Sequence, residues 1–276
     1  MKHQKLLWLL FFVAISTTSS RAGIDPPPTA GARAISMGNA HTAIKQNFWN
    51  LFYNPAGIAG IQHPFLGVYA ERRFGLSELN YGHAGIVFPF AEEQAIGATI
   101  GSFGFEAYRE NQASLSYAIR LMERISLGTR FHYGNLTIKD HGNTSILWAS
   151  IGLQTQVNAE ITLGFHVWNI NRSSLNYQNG LEDIPTVFTT GIAYQPNDHL
   201  ILVADIQKDI DHPVSFKAGL EYVIVSGLFA RIGFGTEPLS LSGGLGLQHK
   251  NLQIDAAFSF HELLGYTPHV SLQYQI

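Results

Sequence analysis

Cysteine is absent from the chain. No disulfide or thiolate metal site can form, and a lipid anchor joined through cysteine is excluded. Charge is scarce as well: 13% of residues are Asp, Glu, Lys or Arg, with a net charge of -3 and a pI near 6.4. No basic face is available to nucleic acid. Past the first residues there is no apolar run long enough for a membrane helix. Also missing are a G-x-S-x-G elbow, a phosphate-binding loop and a dinucleotide fingerprint; Gly243-Gly244-Leu245-Gly246 falls inside an alternating segment, not at a strand-to-helix turn. His261-Glu262-Leu263-Leu264-Gly265 begins like a zincin helix, but Gly265 stands where the second histidine is required. The 12 histidines follow no ligand spacing, so neither a metal nor a cofactor is expected.

What the chain does have is apolar, aromatic and glycine residues. It is 46% hydrophobic, with Gly 27, Phe 18, Tyr 11 and Trp 4. Its mean hydropathy of +0.06 is high for an exported soluble protein and low for a helical membrane protein. Lys2 and Lys5 precede an apolar run at 6–15, and Ser20 and Ala22 suit a cleavage site. That run is about 10 residues, short of the ~20 a spanning helix needs. Residues 1–22 are therefore expected to be a signal peptide. Residues 23–62 read as irregular, with Pro26, Pro27 and Pro28 opposing structure at the start.

From 63 to 276 the pattern changes to alternation with period 2. Leu252, Ile254, Ala256, Phe258 and Phe260 oppose Gln253, Asp255, Ala257, Ser259 and His261. Strands are expected near 63–73, 80–90, 94–105, 108–121, 125–139, 144–157, 161–170, 185–196, 200–210, 214–224, 228–236, 239–249, 252–262 and 267–276. About fourteen is an even number, as a closed single-chain barrel requires. Tight turns alternate with generally longer connections, which predicts short turns on the side of the chain ends and longer loops opposite. A soluble sandwich would also alternate. Its solvated faces would carry more Lys and Glu than the Gly, Ser and Gln found here. The expected fold is all-β: an antiparallel transmembrane barrel with a short, partly helical N-terminal plug.

Two stretches carry a resemblance. Gly31-Ala32-Arg33-Ala34-Ile35-Ser36-Met37-Gly38-Asn39-Ala40 and Phe52-Tyr53-Asn54-Pro55-Ala56-Gly57-Ile58-Ala59 resemble the opening of the PorV/PorQ family, within the wider FadL-like group of outer-membrane barrels. The resemblance covers 31–59; beyond that only the pattern is shared. It implies a non-enzymatic barrel of a Gram-negative outer membrane, serving type IX-like secretion or surface assembly beside a translocon or secreted protein. The alternative is FadL-type passage of small hydrophobic molecules, and a second alternative is a barrel hydrolase. Compact loops favour the first, because an uptake barrel usually builds a capturing surface from long ones.

The candidate site residues follow. Gly31, Arg33, Met37, Gly38, Asn54, Pro55, Ala56 and Gly57 form the plug motif, with Asn54 able to cap a short helix that opens at Pro55. The bland reading is that this segment merely anchors the first strand. Arg120, Arg130, Lys217 and Arg231 are expected in the lumen with Asp205, Glu221 and Asp255. Arg33 is expected to meet a carboxylate such as Glu221 or Asp255. Unpaired charge there is costly, which favours a plugged lumen. In FadL-like transporters a kinked strand opens a sideways exit; Gly97, Gly101 and Gly104 could mark one, or could reflect plug packing. For the hydrolase reading, Ser259, His261, His269 and Ser271 could cluster near the outer end, and Asp209, Asp211 and His212 lie at the rim.

Overall fold

The computed structural model describes residues 29–177 and 180–276. The segment assigned to a signal peptide, 1–22, and the three prolines that follow it lie outside these. The strands are β1 (Phe65–Arg72), β2 (Asn80–Ala91), β3 (Gln94–Gly104), β4 (Tyr108–Met122), β5 (Ile125–Ile138), β6 (Gly142–Gln156), β7 (Ile161–Trp168), β8 (Ser174–Tyr177) and β9 (Gly180–Asp183). They continue as β10 (Val187–Asn197), β11 (Leu200–Asp209), β12 (Val214–Val225), β13 (Leu228–Thr236), β14 (Leu239–His249), β15 (Leu252–His261) and β16 (Gly265–Gln275). All except β8 and β9 form one closed antiparallel barrel of 14 strands, in chain order, with β10 beside β7. β1 closes it against β16, in a register running from Phe65 opposite Gln275 to Glu71 opposite His269.

The period-2 pattern builds the wall. Successive side chains on a strand point to opposite faces, so one face is apolar throughout. That face is the outer one. Leu115, Phe131, Leu147 and Ile232 are each 64–68% exposed, far beyond what a packed core leaves open. Exposed Phe90, Tyr117, Tyr194, Tyr222 and Tyr274 ring the tight-turn end, and exposed Phe188, Phe216, Phe234 and Tyr266 ring the other. At ~3.3 Å per residue the six residue steps from Phe188 to Tyr194, or from Phe216 to Tyr222, span roughly 20 Å along the tilted strand, so the rings fit within the apolar band of a membrane barrel.

The segment before β1 enters the barrel. It carries two short helices, α1 (Ala32–Ser36) and α2 (Asn50–Tyr53), and a 3-10 turn at Pro55–Ile58. Ala34, Ile35, Phe48, Trp49, Leu51, Phe52 and Ile58 are buried in one apolar cluster with Tyr69, Tyr81, Val87, Ala95 and Ala118 of the wall. The wall receives the plug at its glycines. A β-carbon at Gly219 or Gly233 would strike Met37, one at Gly128 would strike Pro55 and Ala56, and one at Gly164 would strike Thr42.

Two expectations are corrected. The connection 171–184, read as a loop, contains the β8–β9 hairpin, which is held because Leu175 and Ile184 bury against Leu136, Ile146, Trp148, Trp168 and Val187. β1 starts at Phe65 and β6 at Gly142, two residues later and two earlier than the pattern suggested. At Gly97 and Gly101 the ladders of β3 with β2 and β4 run through without a register shift, so no bulge interrupts the strand there. Gly97 makes room for Leu51 of the plug and Gly101 for the His83 ring, while Gly104 only ends the strand in a left-handed conformation (φ 100).

Gly233→Val should therefore unseat the plug by overpacking, lowering stability by about 1–3 kcal/mol. Gly82→Ala, whose nearest neighbour would be 3.7 Å away, should be neutral. Urea unfolding in detergent, followed by the fluorescence of plug residue Trp49, checks both; equal midpoints for the two variants would refute the docking role.

Candidate functional site

The lumen is lined by the polar halves of the strands, and several plug residues meet a matching group there. α1 points Arg33 at the wall. Its Nε and Nη2 donate to Glu221 at 2.8 and 2.7 Å. Glu221 also accepts from Arg231 Nε at 2.5 Å, and Arg231 Nη1 donates to Asp255 at 2.7 Å. Gln253 Nε2 donates to both oxygens of Asp255 at 3.0 Å. Four charges thus alternate in sign from plug to wall across β12, β13 and β15, with Arg231 and Asp255 each 1% exposed at the side chain.

The remaining lumen charges are placed differently. Asp205 takes the backbone of the plug: its Oδ2 accepts from His41 N at 3.0 Å, Thr42 N at 3.1 Å and Thr42 Oγ1 at 2.7 Å. Lys217 stands opposite Asp205 in the β11–β12 register and donates to Gln207. Arg130 pairs with no carboxylate among the described residues; it donates to Thr99 Oγ1 at 2.9 Å and lies 5.2 Å over the Phe52 ring. Arg120 is at the tight-turn rim, paired with Glu93 at 2.8 Å, and its guanidinium fills the space beside Gly60.

The plug motif is a set of joints. Gly31 and Gly38 hold positive φ (95 and 69), Gly31 under the Trp49 ring and Gly38 against the backbone of β12 and β13. Ala32 N and Gly38 N donate to Ser271 Oγ and Ser242 Oγ at 3.0 and 3.1 Å. Asn54 caps the 3-10 turn through Oδ1, which accepts from Ala56 N at 3.1 Å with Pro55 at the first position. Its Nδ2 donates to Thr42 O at 2.8 Å and Leu153 O at 3.2 Å. Gly57 lies against the Asn50 side chain. Burial, and next the Arg33 charge, push the plug's His41 down to about 3. The ring is therefore neutral, and its Nε2 is 3.1 Å from Asn47 Oδ1.

Two cavities flank the plug. A chamber of ≈ 380 Å³ lies toward the long-loop end, floored by Ile35, Phe52 and Tyr53 and walled by Asp205, Lys217, Phe74, Phe260 and His269 among others. A second, of ≈ 270 Å³, lies toward the tight turns beside Arg33, Ile44, Glu160 and Gln195. The stretch His41–Ile44 separates them and is fastened by Asp205 and by Gln154 Nε2, which donates to Thr42 O and Ile44 O at 2.9 Å.

Sequence reasoning grouped Ser259, His261, His269 and Ser271. The structure brings Ser259 and His269 together at 2.8 Å, but places Ser271 under Ala32 and turns the His261 ring toward Phe74. It missed Glu71, which joins them only because β1 pairs with β16. It also missed that Asp205 receives plug amides rather than a cation; three donors converging on one carboxylate have no signature in a linear chain.

Glu221→Ala should strip Arg33 of its carboxylate partner and leave Arg231 with Asp255 alone. A loss of about 3–5 kcal/mol is expected, as for a broken buried pair. Urea titration of the refolded barrel measures it, and a loss below about 1 kcal/mol would show the network to be dispensable.

No protein-family model matches the chain, and no curated protein matches it in sequence. Solved structures do match it in shape. The toluene transporter TodX of P. putida aligns with a TM-score of 0.69 at 13% identity, covering 91% of this chain and 99% of that one. The monoaromatic hydrocarbon channel CymD aligns at 0.68 and 13%, covering 90% and 98%. A FadL homologue of Pseudomonas aeruginosa aligns at 0.65 and 13%, covering 90% and 98%. The likeness spans the whole architecture, and the chain has the fourteen-stranded fold of FadL-like outer-membrane barrels.

Proposed function

We propose that this chain lies in a Gram-negative outer membrane and passes small molecules with an apolar or aromatic body through its plugged lumen. The observation that carries this reading is the pair of cavities on either side of one plug stretch, whose amides are held by the Asp205 carboxylate and whose carbonyls are held by Gln154 and Asn54. The aromatic floor of the chamber suits an apolar body, and its polar rim suits a polar end. The shape likeness to a toluene transporter and a hydrocarbon channel supports passage over the secretion role that the opening motif implied. Residues 1–22 would be removed on export, 29–62 would serve as the plug and 63–276 as the barrel.

In this reading the Asp205 contacts hold the path closed. Uptake of labelled toluene by Gram-negative host cells expressing the chain should exceed that of vector controls. Asp205→Ala, which frees the amides of His41 and Thr42, should raise uptake severalfold and increase the small conductance of the wild-type barrel in planar bilayers. Uptake at the vector level with folded protein in the outer membrane would sink the passage reading. Co-purification of a translocon barrel in stoichiometric amount would restore the secretion reading.

A further inference from the structure

Three adjacent strands of the closed sheet, β15, β16 and β1, each turn one polar side chain into the chamber near its outer end. Ser259 Oγ is 2.8 Å from His269 Nε2, and His269 Nδ1 is 2.9 Å from Glu71 Oε2. Glu71 also accepts from Arg73 Nε at 2.6 Å and from the Tyr69 hydroxyl. Since the Tyr69 proton goes to Glu71, its oxygen can only accept from His269 Nδ1, 2.8 Å away. Both neighbours of Nδ1 are therefore acceptors. In the neutral ring Nδ1 then carries the proton, and Nε2 is left to accept from the Ser259 hydroxyl. Nucleophile, base and orienting carboxylate stand in the order and spacing that acyl transfer needs. His269 and Glu71 are 4% and 5% exposed at the side chain, whereas Ser259 is half-buried and borders the ≈ 380 Å³ chamber. A purely structural serine–histidine pair would have no need of that opening.

We propose that Ser259, His269 and Glu71 form a hydrolytic triad for small carboxylic esters that enter the chamber from the loop end. Ser259 Oγ bonds to the ester carbonyl carbon while its proton passes to His269 Nε2. The carbon–oxygen bond of the ester breaks, and the departing alkoxide takes that proton. Water then attacks the acyl-serine through the same base, so that ester and water become acid and alcohol. Arg73, stacked over the Tyr81 and Phe103 rings, donates to Glu71 and holds that carboxylate in place. Glu71 and Tyr69 are positioning residues.

The folded barrel in detergent is treated with diisopropyl fluorophosphate and mapped by mass spectrometry, and p-nitrophenyl acetate turnover is followed across pH. The expected result is one adduct, on Ser259. Its rate of formation and the turnover should fall about 100-fold or more in His269→Gln. Glu71→Gln should shift the pH profile as well as the rate, and Ser226→Ala, in an exposed turn at the other end of the barrel, should change neither. No adduct on Ser259, or an undiminished rate in His269→Gln that keeps heat-modifiable migration, overturns the proposal. Should that variant not fold, Ser259→Ala, which removes one chamber-facing oxygen, decides: unchanged turnover is equally fatal. None of these readouts depends on passage through the plug.

Discussion

A backbone amide facing hydrocarbon has no water to bond, so a sheet crossing a membrane must leave no open edge. The pairing of β1 with β16 meets that demand, and the rest of the molecule follows from it. Closure with fourteen strands encloses more volume than inward side chains fill. A dry void would forfeit contacts and an open one would be a pore. The chain resolves this by sending its own N-terminal segment inside, where Phe48, Trp49, Leu51 and Phe52 form an apolar core with β1–β4. The glycines of the facing strands are the counterpart of that choice, since backbone meets plug wherever a β-carbon would not fit.

Placing a plug inside a polar lumen creates an electrostatic problem, and two solutions coexist. At Arg33, Glu221, Arg231 and Asp255, charge meets charge and the set is neutral, so each desolvated ion has opposite neighbours. At Asp205, a carboxylate receives backbone amides and a hydroxyl instead. The first fixes α1 to the wall through several contacts on several strands. The second takes the amides of the stretch between the two cavities, while Gln154 and Asn54 take its carbonyls.

The barrel was legible because each strand states its own orientation. Leu252 to His261 alternates so regularly that any one-residue slip would turn its apolar set into the lumen. The hairpin β8–β9 was not legible, because its stability comes from Trp148 and Trp168 beneath it and not from its own pattern. The glycines of β3 could be read two ways from sequence. Only the structure shows what they make room for, Leu51 of the plug at Gly97 and the His83 ring of β2 at Gly101. Within the lumen, the charged positions could be named but most of their partners could not, because Arg120 and Arg130 occupy equivalent places in the alternation yet meet Glu93 at the rim and a Phe52 ring at the core.

By itself the sequence determined the sheet: strand count, the lipid-facing and lumen-facing sides, and the alternation of tight turns with generally longer loops. These are local properties, set by period-2 patterning and turn chemistry within about ten residues. Tertiary structure alone decided which lumen residues meet. Glu71 and His269 lie at opposite ends of the barrel sequence, and Thr42 is far along the chain from Asp205. Such meetings depend on how the ends of the sheet close and how deep the plug sits, and neither leaves a periodic trace along the chain.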